Sequence, residues 1–282
     1  MKAIIQSGIV GASLLALAMS GQADDKTVAL SAPALVEQAM HAEHRPESHQ
    51  QRNRYRNPVG TLDFFGVESG QRVLEIFPGA GWYAGILAPL LKEDGEYTAA
   101  IWDESVDDLP GYVTRINAQF SEWLGQHGDA LGEVRLQPYF PPHSHDLGGE
   151  DYYDRILTFR NIHGWVRDGI AEEHFEAFFR ALKPGGVLGV VQHRADEGVE
   201  DVVASARTGY VPESHVIALA EAAGFELQAR SEVNANPRDS KDHEMGVWTL
   251  PPSLRGDEAD RERMLAIGES DRMTLRFVKP EA

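Results

Sequence analysis

Residues 73–83 read Val-Leu-Glu-Ile-Phe-Pro-Gly-Ala-Gly-Trp-Tyr, and this stretch decides the fold. An apolar run contains the acid Glu75, a Gly-x-Gly turn follows at Gly79 and Gly81, and residues 86–91 continue as a helix. Glycine lets the backbone approach a ligand closely, and the first turn of a helix has unpaired amides. The pattern predicts a buried strand, a ligand-binding loop and a helix. A tight turn without a ligand is the alternative, because Gly-x-Gly alone is a weak signal.

A second strand is predicted at residues 97–102, and Asp103 follows it directly. In doubly wound folds, an acid at the tip of the second strand accepts hydrogen bonds from ribose hydroxyls. Asp103 follows Gly81 by 22 residues, which is the spacing that this role requires. Asp103 is therefore a candidate ribose ligand. The alternative is a helix cap or a solvated turn acid, both common positions for aspartate.

Strands and helices alternate further along the chain. A strand is predicted at 153–159, a helix at 171–182 and another strand at 187–191, after the segment Lys-Pro-Gly-Gly at 183–186. This alternation favours a largely parallel sheet with helices on its faces.

Taken together, these motifs resemble those of class I S-adenosylmethionine-dependent methyltransferases, in the same order. They are Val-Leu-Glu-Ile-x-Pro-Gly-Ala-Gly at 73–81, the acid at 103, the strand at 153–159, Leu-Lys-Pro-Gly-Gly-Val-Leu at 182–188 and Ala-Ala-Gly-Phe at 222–225. The resemblance covers residues 55–230 and a last strand near 273–279. It implies a doubly wound α/β fold with a seven-stranded, mostly parallel sheet, and S-adenosylmethionine as cofactor. One position departs from the family, because Phe77 stands where its first loop glycine is usual.

The resemblance also implies site residues. Glu75, Gly79, Gly81 and Asp103 match the family's cofactor-binding positions, and Tyr55 lies in an N-terminal arm of a kind that closes over the cofactor in many members. A packing role is the alternative for Tyr55. A dinucleotide-dependent oxidoreductase is the rival within this fold, since Gly79-x-Gly81-x-x-Ala also satisfies a looser dinucleotide fingerprint.

His163 is the candidate catalytic residue. The segment Ile-His-Gly-Trp at 162–165 follows the predicted fourth strand and is similar to the Leu-His-Asp-Trp stretch of small-molecule O-methyltransferases, whose histidine is the general base. Gly164 replaces that aspartate. Histidine titrates near neutral pH and can accept a proton. The alternative for His163 is a capping or buried hydrogen-bonded histidine, and Trp165 is expected either in the pocket wall or in the core.

Two additions flank the motifs. The arm at residues 24–60 is predicted to be helical and contains four arginines, which are either a solvated helix face or an anchor for an anionic substrate or the cofactor carboxylate: Arg45, Arg52, Arg54 and Arg56. The sixth strand is predicted at 225–233 and the seventh at 273–278. The insertion between them, at 232–271, is expected to form part of the acceptor pocket or a dimer contact.

Other histidine pairs do not predict a metal site. His143 with His145, and His41 with His44, lack a third ligand at a suitable spacing, so solvated loops or helix faces are the preferred reading. The formal net charge is −18, with 26 basic and 44 acidic residues. An acidic chain repels phosphate backbones, so nucleic acid is not the expected partner.

Residues 1–23 have the pattern of an export signal. Lys2 provides the positive region, residues 9–19 the apolar region, and Gly-Gln-Ala at 21–23 a small-x-small cleavage site. We therefore expect a periplasmic or secreted mature protein beginning near Asp24. No other stretch approaches the ~20 apolar residues of a membrane span.

The sequence thus predicts an exported protein with one methyltransferase domain at residues 61–282 after the arm. The expected reaction is methyl transfer from S-adenosylmethionine to a small-molecule acceptor, with oxygen as the favoured atom. A non-catalytic exported protein that binds a nucleoside is the alternative from another class.

Overall fold

Seven strands form one sheet in the computed structural model, which describes residues 30–107 and 109–281. The strands are β1 (Arg72–Ile76), β2 (Glu96–Trp102), β3 (Val134–Tyr139), β4 (Tyr153–Phe159), β5 (Leu182–His193), β6 (Glu226–Ser231) and β7 (Arg272–Val278). Their order is β3-β2-β1-β4-β5-β7-β6. Strands β1 to β5 pair in parallel, and β7 is antiparallel to β5 and β6. The predicted doubly wound, mostly parallel sheet is confirmed.

Helices cover both faces of this sheet. The helices are α1 (Ala32–Ala39), α2 (Glu47–Gln50), α3 (Asn53–Arg56), α4 (Pro58–Phe64), α5 (Ala84–Leu91), α6 (Gly111–Gln126), α7 (Gly128–Leu131), α8 (Ile162–Asp168), α9 (Ala171–Ala181), α10 (Val202–Arg207), α11 (Glu213–Ala222) and α12 (Arg261–Ile267). Along β1, Val73 packs into one buried cluster with α5, and Leu74 packs into a second cluster with α9. Successive strand residues point to opposite faces, so a strand covered on both sides is a continuous apolar run.

The sheet places a crevice at the point where the chain changes direction. Strand β1 has β2 on one side and β4 on the other, so the strand order runs outward from β1 in both directions. Ligands of doubly wound folds bind at the carboxyl ends of strands at such a switch point. The loop at 77–83 and the residues after β4 meet there.

Strand β5 begins earlier than its sequence predicts. Leu182 already pairs with Tyr153, and the register then shifts before Arg155 pairs with Val187. Lys183 Nζ donates to Asp154 Oδ1 at 2.6 Å, and a Cβ at Gly186 would lie 2.7 Å from the Lys183 carbonyl oxygen. The Lys-Pro-Gly-Gly segment therefore forms an irregular beginning of β5 that Lys183 attaches to β4. Only glycine fits at the last position of the segment.

The two additions are the N-terminal arm and the segment between β6 and β7. Helices α1 to α4 cover most of the arm, with α1 packed on α4 and α5. Residues 232–271 connect β6 to β7 and contain 3-10 helices at Gly246–Thr249 and Glu258–Asp260 besides α12. The predicted signal at 1–23 lies outside the described residues. Within residues 30–107 and 109–281, no helix has both the length and the apolar character that crossing a membrane requires.

Candidate functional site

A cavity of about 280 Å³ lies at the carboxyl ends of β1 and β4. Its walls come from the arm, the loop after β1, the exits of β4 and β5, and the 232–271 insertion. The lining residues are His49, Arg52, Arg56, Glu75, Phe77, Pro78, Gly79, Ala80, Trp82, Tyr83, Phe159, Arg160, Asn161, His163, His193 and Trp248. Three of the residues predicted from sequence, Glu75, Gly79 and His163, thus face one space.

The loop after β1 has left-handed backbone at alternate residues. The φ angles are +49° at Phe77, +61° at Gly79 and +77° at Gly81. A Cβ at Gly79 would meet no atom within 4 Å, whereas one at Gly81 would lie 3.0 Å from the Trp123 ring. Gly79 therefore leaves open space for a ligand, and Gly81 allows the loop to pack against α6.

Glu75 is buried beneath this loop. The Tyr97 hydroxyl donates to its Oε2 at 2.6 Å. Burial raises the pKa of Glu75 to about 7, although the Tyr97 hydrogen bond and the positive charges of Arg56 and Arg160 oppose that effect. Near neutral pH this carboxyl group is therefore much less ionised than an exposed glutamate, which makes its charge sensitive to what enters the cavity.

Asp103 lies apart from the cavity, partly exposed at the tip of β2. Its Oδ1 accepts hydrogen bonds from the Ser105 amide at 3.0 Å and the Ser105 hydroxyl at 2.6 Å. Between the glycine loop and β2 the Phe77 ring stacks on Trp102, with 4.0 Å between centroids. The cleft beside them, against α6, measures about 10 Å³. That volume is about what one water molecule needs.

The four arginines of the arm have three different environments. Arg45 is buried, with Nη1 donating to Asn53 Oδ1 at 3.1 Å, and Arg54 is exposed and lies over the Tyr55 ring. Arg52 and Arg56 line the cavity. In the short helix α3 and its cap, residues four apart share a face, which separates Arg52 and Arg56 from Arg54. Arg54 thus lies on a solvated face, whereas Arg52 and Arg56 face the cavity, and an anchoring role for these two stays a prediction.

Glu269, in the insertion, is a carboxylate shared by three of the site's arginines. Arg52 Nε lies 2.5 Å from Oε1, Arg56 Nε lies 3.6 Å from Oε2, and Arg272 Nη2 also contacts Oε2. Burial alone would raise the pKa of Glu269, but the guanidinium groups of Arg272, Arg56 and Arg52 hold it well below its usual range. Glu269 is therefore ionised, and it links the arm to the insertion across the site.

His163 is half-buried in the cavity wall at the start of α8. Its Nδ1 lies 3.5 Å from the Gln192 side-chain nitrogen, too long a contact to fix the tautomer. Burial, then the charges of Arg160 and Arg167, lowers the pKa of His163 to about 4. The imidazole is therefore neutral at physiological pH, as a proton acceptor must be, but it is a weak base.

Two further sequence candidates lie outside the cavity. Tyr55 packs against Gly268, where a Cβ would lie 2.7 Å from the tyrosine ring, and Arg272 Nη1 donates to its carbonyl oxygen at 3.1 Å. Trp165 is buried in the core, stacked on His174 at 4.0 Å between centroids. From the insertion, Trp248 is the tryptophan that reaches the cavity.

The histidine pairs that the sequence sets aside as metal ligands have local roles. His143 and His145 are exposed, His41 is exposed near Glu37, and His44 contacts the Gly85 carbonyl oxygen at 2.7 Å. Across residues 30–107 and 109–281, no three His, Asp or Glu side chains converge in a way that could hold a metal ion.

Sequence reasoning missed Arg160, Arg272 and Glu269 as parts of the site. Arg160 follows β4 directly and has φ +66°, and its amide donates to the Val191 carbonyl oxygen at 2.7 Å. Its position directly after a strand is the sequence feature that could have identified it as a site residue. Arg272 opens β7 and Glu269 precedes it, far in sequence from the motifs of the glycine loop.

Solved structures of other proteins have the same fold as this chain. No protein-family model matches the chain, and a search of curated proteins finds no match. The [4+2]-cyclase SpnF aligns at 16% identity and a TM-score of 0.57, over 86% of this chain and 86% of that chain. An arsenic(III) S-adenosylmethionine methyltransferase from Chlamydomonas reinhardtii aligns at 14% identity and a TM-score of 0.51, over 88% of this chain and 74% of that chain.

A third solved structure is a SAM-dependent methyltransferase from Methanosarcina mazei, with 11% identity and a TM-score of 0.50, over 78% of this chain and 98% of that chain. At such identities the likeness shows the fold alone, and that fold is the class I S-adenosylmethionine-dependent methyltransferase fold. The structural resemblance predicted from the motifs is confirmed.

Proposed function

We propose that this protein transfers a methyl group from S-adenosylmethionine to an oxygen atom of a small-molecule acceptor. The supporting observation is the 280 Å³ cavity, which joins the open backbone at Gly79 to His163 at the switch point of a methyltransferase fold. Fold alone does not fix chemistry, as the [4+2]-cyclase of the same architecture illustrates. The proposal therefore rests on the site.

The residues present fit the two ends of the cofactor unequally. The cavity beside Gly79 has room and positive charge for the amino-acid end, and Asp103 places a carboxylate at the tip of β2 for ribose hydroxyls. The cleft between them, about 10 Å³, does not hold a nucleoside in this conformation. Nucleoside binding at Asp103 requires the Phe77–Trp102 stack or α6 to move. Tyr55 lies outside the cavity, so it would contact the cofactor only if the arm moved.

The chain's own contribution to the reaction is positioning, exclusion of water and proton removal. The bound cofactor supplies an activated methyl group. The rings of Trp82, Tyr83 and Phe159 form an apolar wall, and Tyr83 stacks on Phe159 with 3.7 Å between centroids. His163, neutral at physiological pH, would accept the proton of a hydroxyl acceptor.

One observation favours a second candidate, an exported binding protein without catalysis. The narrow cleft beside Asp103 leaves the nucleoside position closed, as expected if methyl transfer has been lost while part of the pocket persists. A protein of that kind would bind a ligand in the 280 Å³ cavity and show no turnover.

Export itself is a proposal that rests on the pattern of residues 1–23. Its test is mass spectrometry of the periplasmic fraction, which should find an N-terminus near Asp24. Recovery of the full-length chain from the cytoplasm alone would refute it.

The function is tested by calorimetric titration of the chain from Asp24 with S-adenosylmethionine, S-adenosylhomocysteine and NAD. We expect binding of the first two, and Asp103→Ala should weaken it about ten-fold or more, because charge-assisted hydrogen bonds contribute roughly 1.5–3 kcal/mol. Asp94→Asn, in an exposed turn, is the control. Binding of NAD alone would support the oxidoreductase. Cofactor binding without turnover on any phenol, catechol or carboxylate would support the binding protein.

A further inference from the structure

The cavity carries an excess of positive charge in an acidic protein. Arg52, Arg56 and Arg160 line it, and Arg272 lies directly behind, in contact with Glu269. Against these four guanidinium groups stand two carboxyl groups, those of Glu269 and Glu75. The local excess is therefore at least two positive charges, whereas the whole chain has a net charge of −18.

Several of these guanidinium groups have donors without partners. Arg56 is 3% exposed, and neither its Nε nor its Nη1 has a hydrogen-bond partner among the described residues. The same holds for Nη2 of Arg52 and Nε of Arg272. A buried donor left unsatisfied costs roughly 1–3 kcal/mol, and more when it is charged. Arg52 and Arg56, which line the cavity, and Arg272 behind them therefore carry positive charge that the surrounding residues do not fully pair.

The proposed cofactor does not neutralise this charge. S-adenosylmethionine has one carboxylate, but its ammonium and sulfonium groups give it a net positive charge. Binding it would increase the electrostatic imbalance, because buried charges require opposite charges nearby. A second, anionic molecule in the same cavity would compensate both the arginines and the sulfonium.

We propose that the acceptor is an organic carboxylate with a flat apolar body, and that Arg52, Arg56 and Arg160 hold its carboxylate. That the ligand is the methyl acceptor rests on the proposed methyl transfer. That the ligand is an anion rests on the cavity alone. Guanidinium groups bind carboxylates through paired, charge-assisted hydrogen bonds. The cavity also offers aromatic surface for the rest of such a ligand, from Trp82 and Trp248.

The aromatic residues that line the cavity favour an aromatic carboxylate over an inorganic anion. Arg56 and Arg45 both lie over the Trp82 ring, at 4.5 and 4.7 Å from its centroid. The guanidinium groups therefore lie next to an aromatic ring. This arrangement suits a ligand with an oxyanion at one end and a ring at the other. A phosphate ion would use only the charged part.

The test is calorimetric titration of the mature chain with benzoate, benzamide and inorganic phosphate at fixed ionic strength, each with and without saturating S-adenosylhomocysteine. Benzoate and benzamide have nearly the same shape and differ in charge. We expect benzoate to bind at least ten-fold more tightly than benzamide and than phosphate. Equal binding of benzoate and benzamide would show that the ligand need not be an anion. Equal binding of phosphate and benzoate would show that the site does not select an organic ligand. Either result would overturn the proposal.

Variants locate the site. Arg52→Gln and Arg160→Gln should each weaken benzoate binding about ten-fold, since a charged hydrogen bond contributes roughly 1.5–3 kcal/mol. Arg54→Gln, which changes an exposed arginine of the same helix, should change it less than two-fold. Unchanged binding in both cavity variants would overturn the assignment. The comparison of ligands on the wild-type chain remains decisive if a variant fails to fold.

The two proposals fail separately. If S-adenosylhomocysteine binds and benzoate does not, the anionic acceptor is wrong and methyl transfer stands. If benzoate binds and no nucleoside does, the anion site stands as a binding site, and its description as an acceptor site is wrong together with the proposed function.

Discussion

The Nε atom of Arg56 lies 3.6 Å from Oε2 of Glu269, yet no hydrogen bond joins them. The two carboxylate oxygens are instead taken by Arg52 and Arg272. Glu269 therefore holds two arginines by hydrogen bonds and lowers the electrostatic cost of a third, whose Nε and Nη1 have no hydrogen-bond partner among the described residues. The charge of Arg56 is thus only partly compensated by Glu269.

Glu269→Gln should destabilise the fold strongly. Removing one partner of a buried ion pair leaves uncompensated charge and typically costs about 3–5 kcal/mol. Here three arginines lose their shared anion, and Glu269 is only 2% exposed. Urea unfolding measures the change. Glu258→Gln, which breaks an exposed ion pair with Arg261, should cost less than about 1 kcal/mol. A cost at Glu269 no larger than this would contradict the prediction.

Glu75→Gln should change how stability depends on pH. Burial raises the pKa of Glu75 to about 7 from 4.5 in the unfolded chain, so the folded state keeps a proton that the unfolded state has lost. The wild type therefore loses stability from this group as the pH rises from about 4.5 through about 7. A shift of this size corresponds to roughly 3 kcal/mol.

The measurement is the difference in unfolding free energy between Glu75→Gln and the wild type from pH 5 to pH 8. We expect that difference to grow in favour of the variant as the pH rises, because glutamine can still accept the Tyr97 hydrogen bond without ionising. Glu93→Gln, at an exposed position, should give a flat difference. A flat difference for Glu75→Gln as well would mean that this carboxyl titrates normally.

Gly79→Ala and Gly81→Ala should separate binding from stability. Both positions have positive φ, which costs alanine roughly 1–2 kcal/mol. At Gly79 the new Cβ meets only open space, so we expect S-adenosylhomocysteine affinity to fall ten-fold or more with this modest stability loss. At Gly81 the Cβ lies 3.0 Å from Trp123 and 3.2 Å from Phe120, so we expect a larger stability loss. Urea unfolding and calorimetry measure the two effects. The reverse order would place the ligand at Gly81.

His163 should stay neutral down to about pH 5. Burial, then the charges of Arg160 and Arg167, lowers its pKa, while Gln192 and Asp168 oppose that effect, and the His193 ring centroid lies 5.8 Å away. With a folded pKa of about 4, the group gains a proton only as the pH falls below about 5, so it should cause no loss of activity above that. Titration of the histidine ring protons by NMR measures the pKa directly.

His163→Ala should lower turnover on a hydroxyl acceptor by about 10²–10⁴-fold and leave S-adenosylhomocysteine affinity nearly unchanged. Bound benzoate should raise the pKa of His163, because an anion beside Arg160 offsets the charge of that arginine. His145→Ala, at an exposed loop position, is the control. Unimpaired turnover in His163→Ala would remove this histidine from the mechanism.

The sequence predicts the sheet well because its signals are local. Apolar runs, the glycine turn and the acid at 103 each lie within one element, and the resemblance to the methyltransferase family implies how the strands are arranged. The charges of the site are different. Glu269 and Arg52 are 217 residues apart and meet only through the packing of the arm against the insertion. The closed cleft at Trp102 depends on how Phe77 and α6 pack, which no residue pattern specifies.

The Arg52–Glu269 contact also has a consequence for the order in which the molecule assembles. It closes a loop of nearly the whole chain, and long loops make late, slow contacts because their ends must first be brought together. The sheet from β1 to β5 can form from earlier residues, but the cationic cavity is complete only when β7 has joined between β5 and β6. A ligand bound in this cavity would therefore report that both the arm and β7 have reached their native positions.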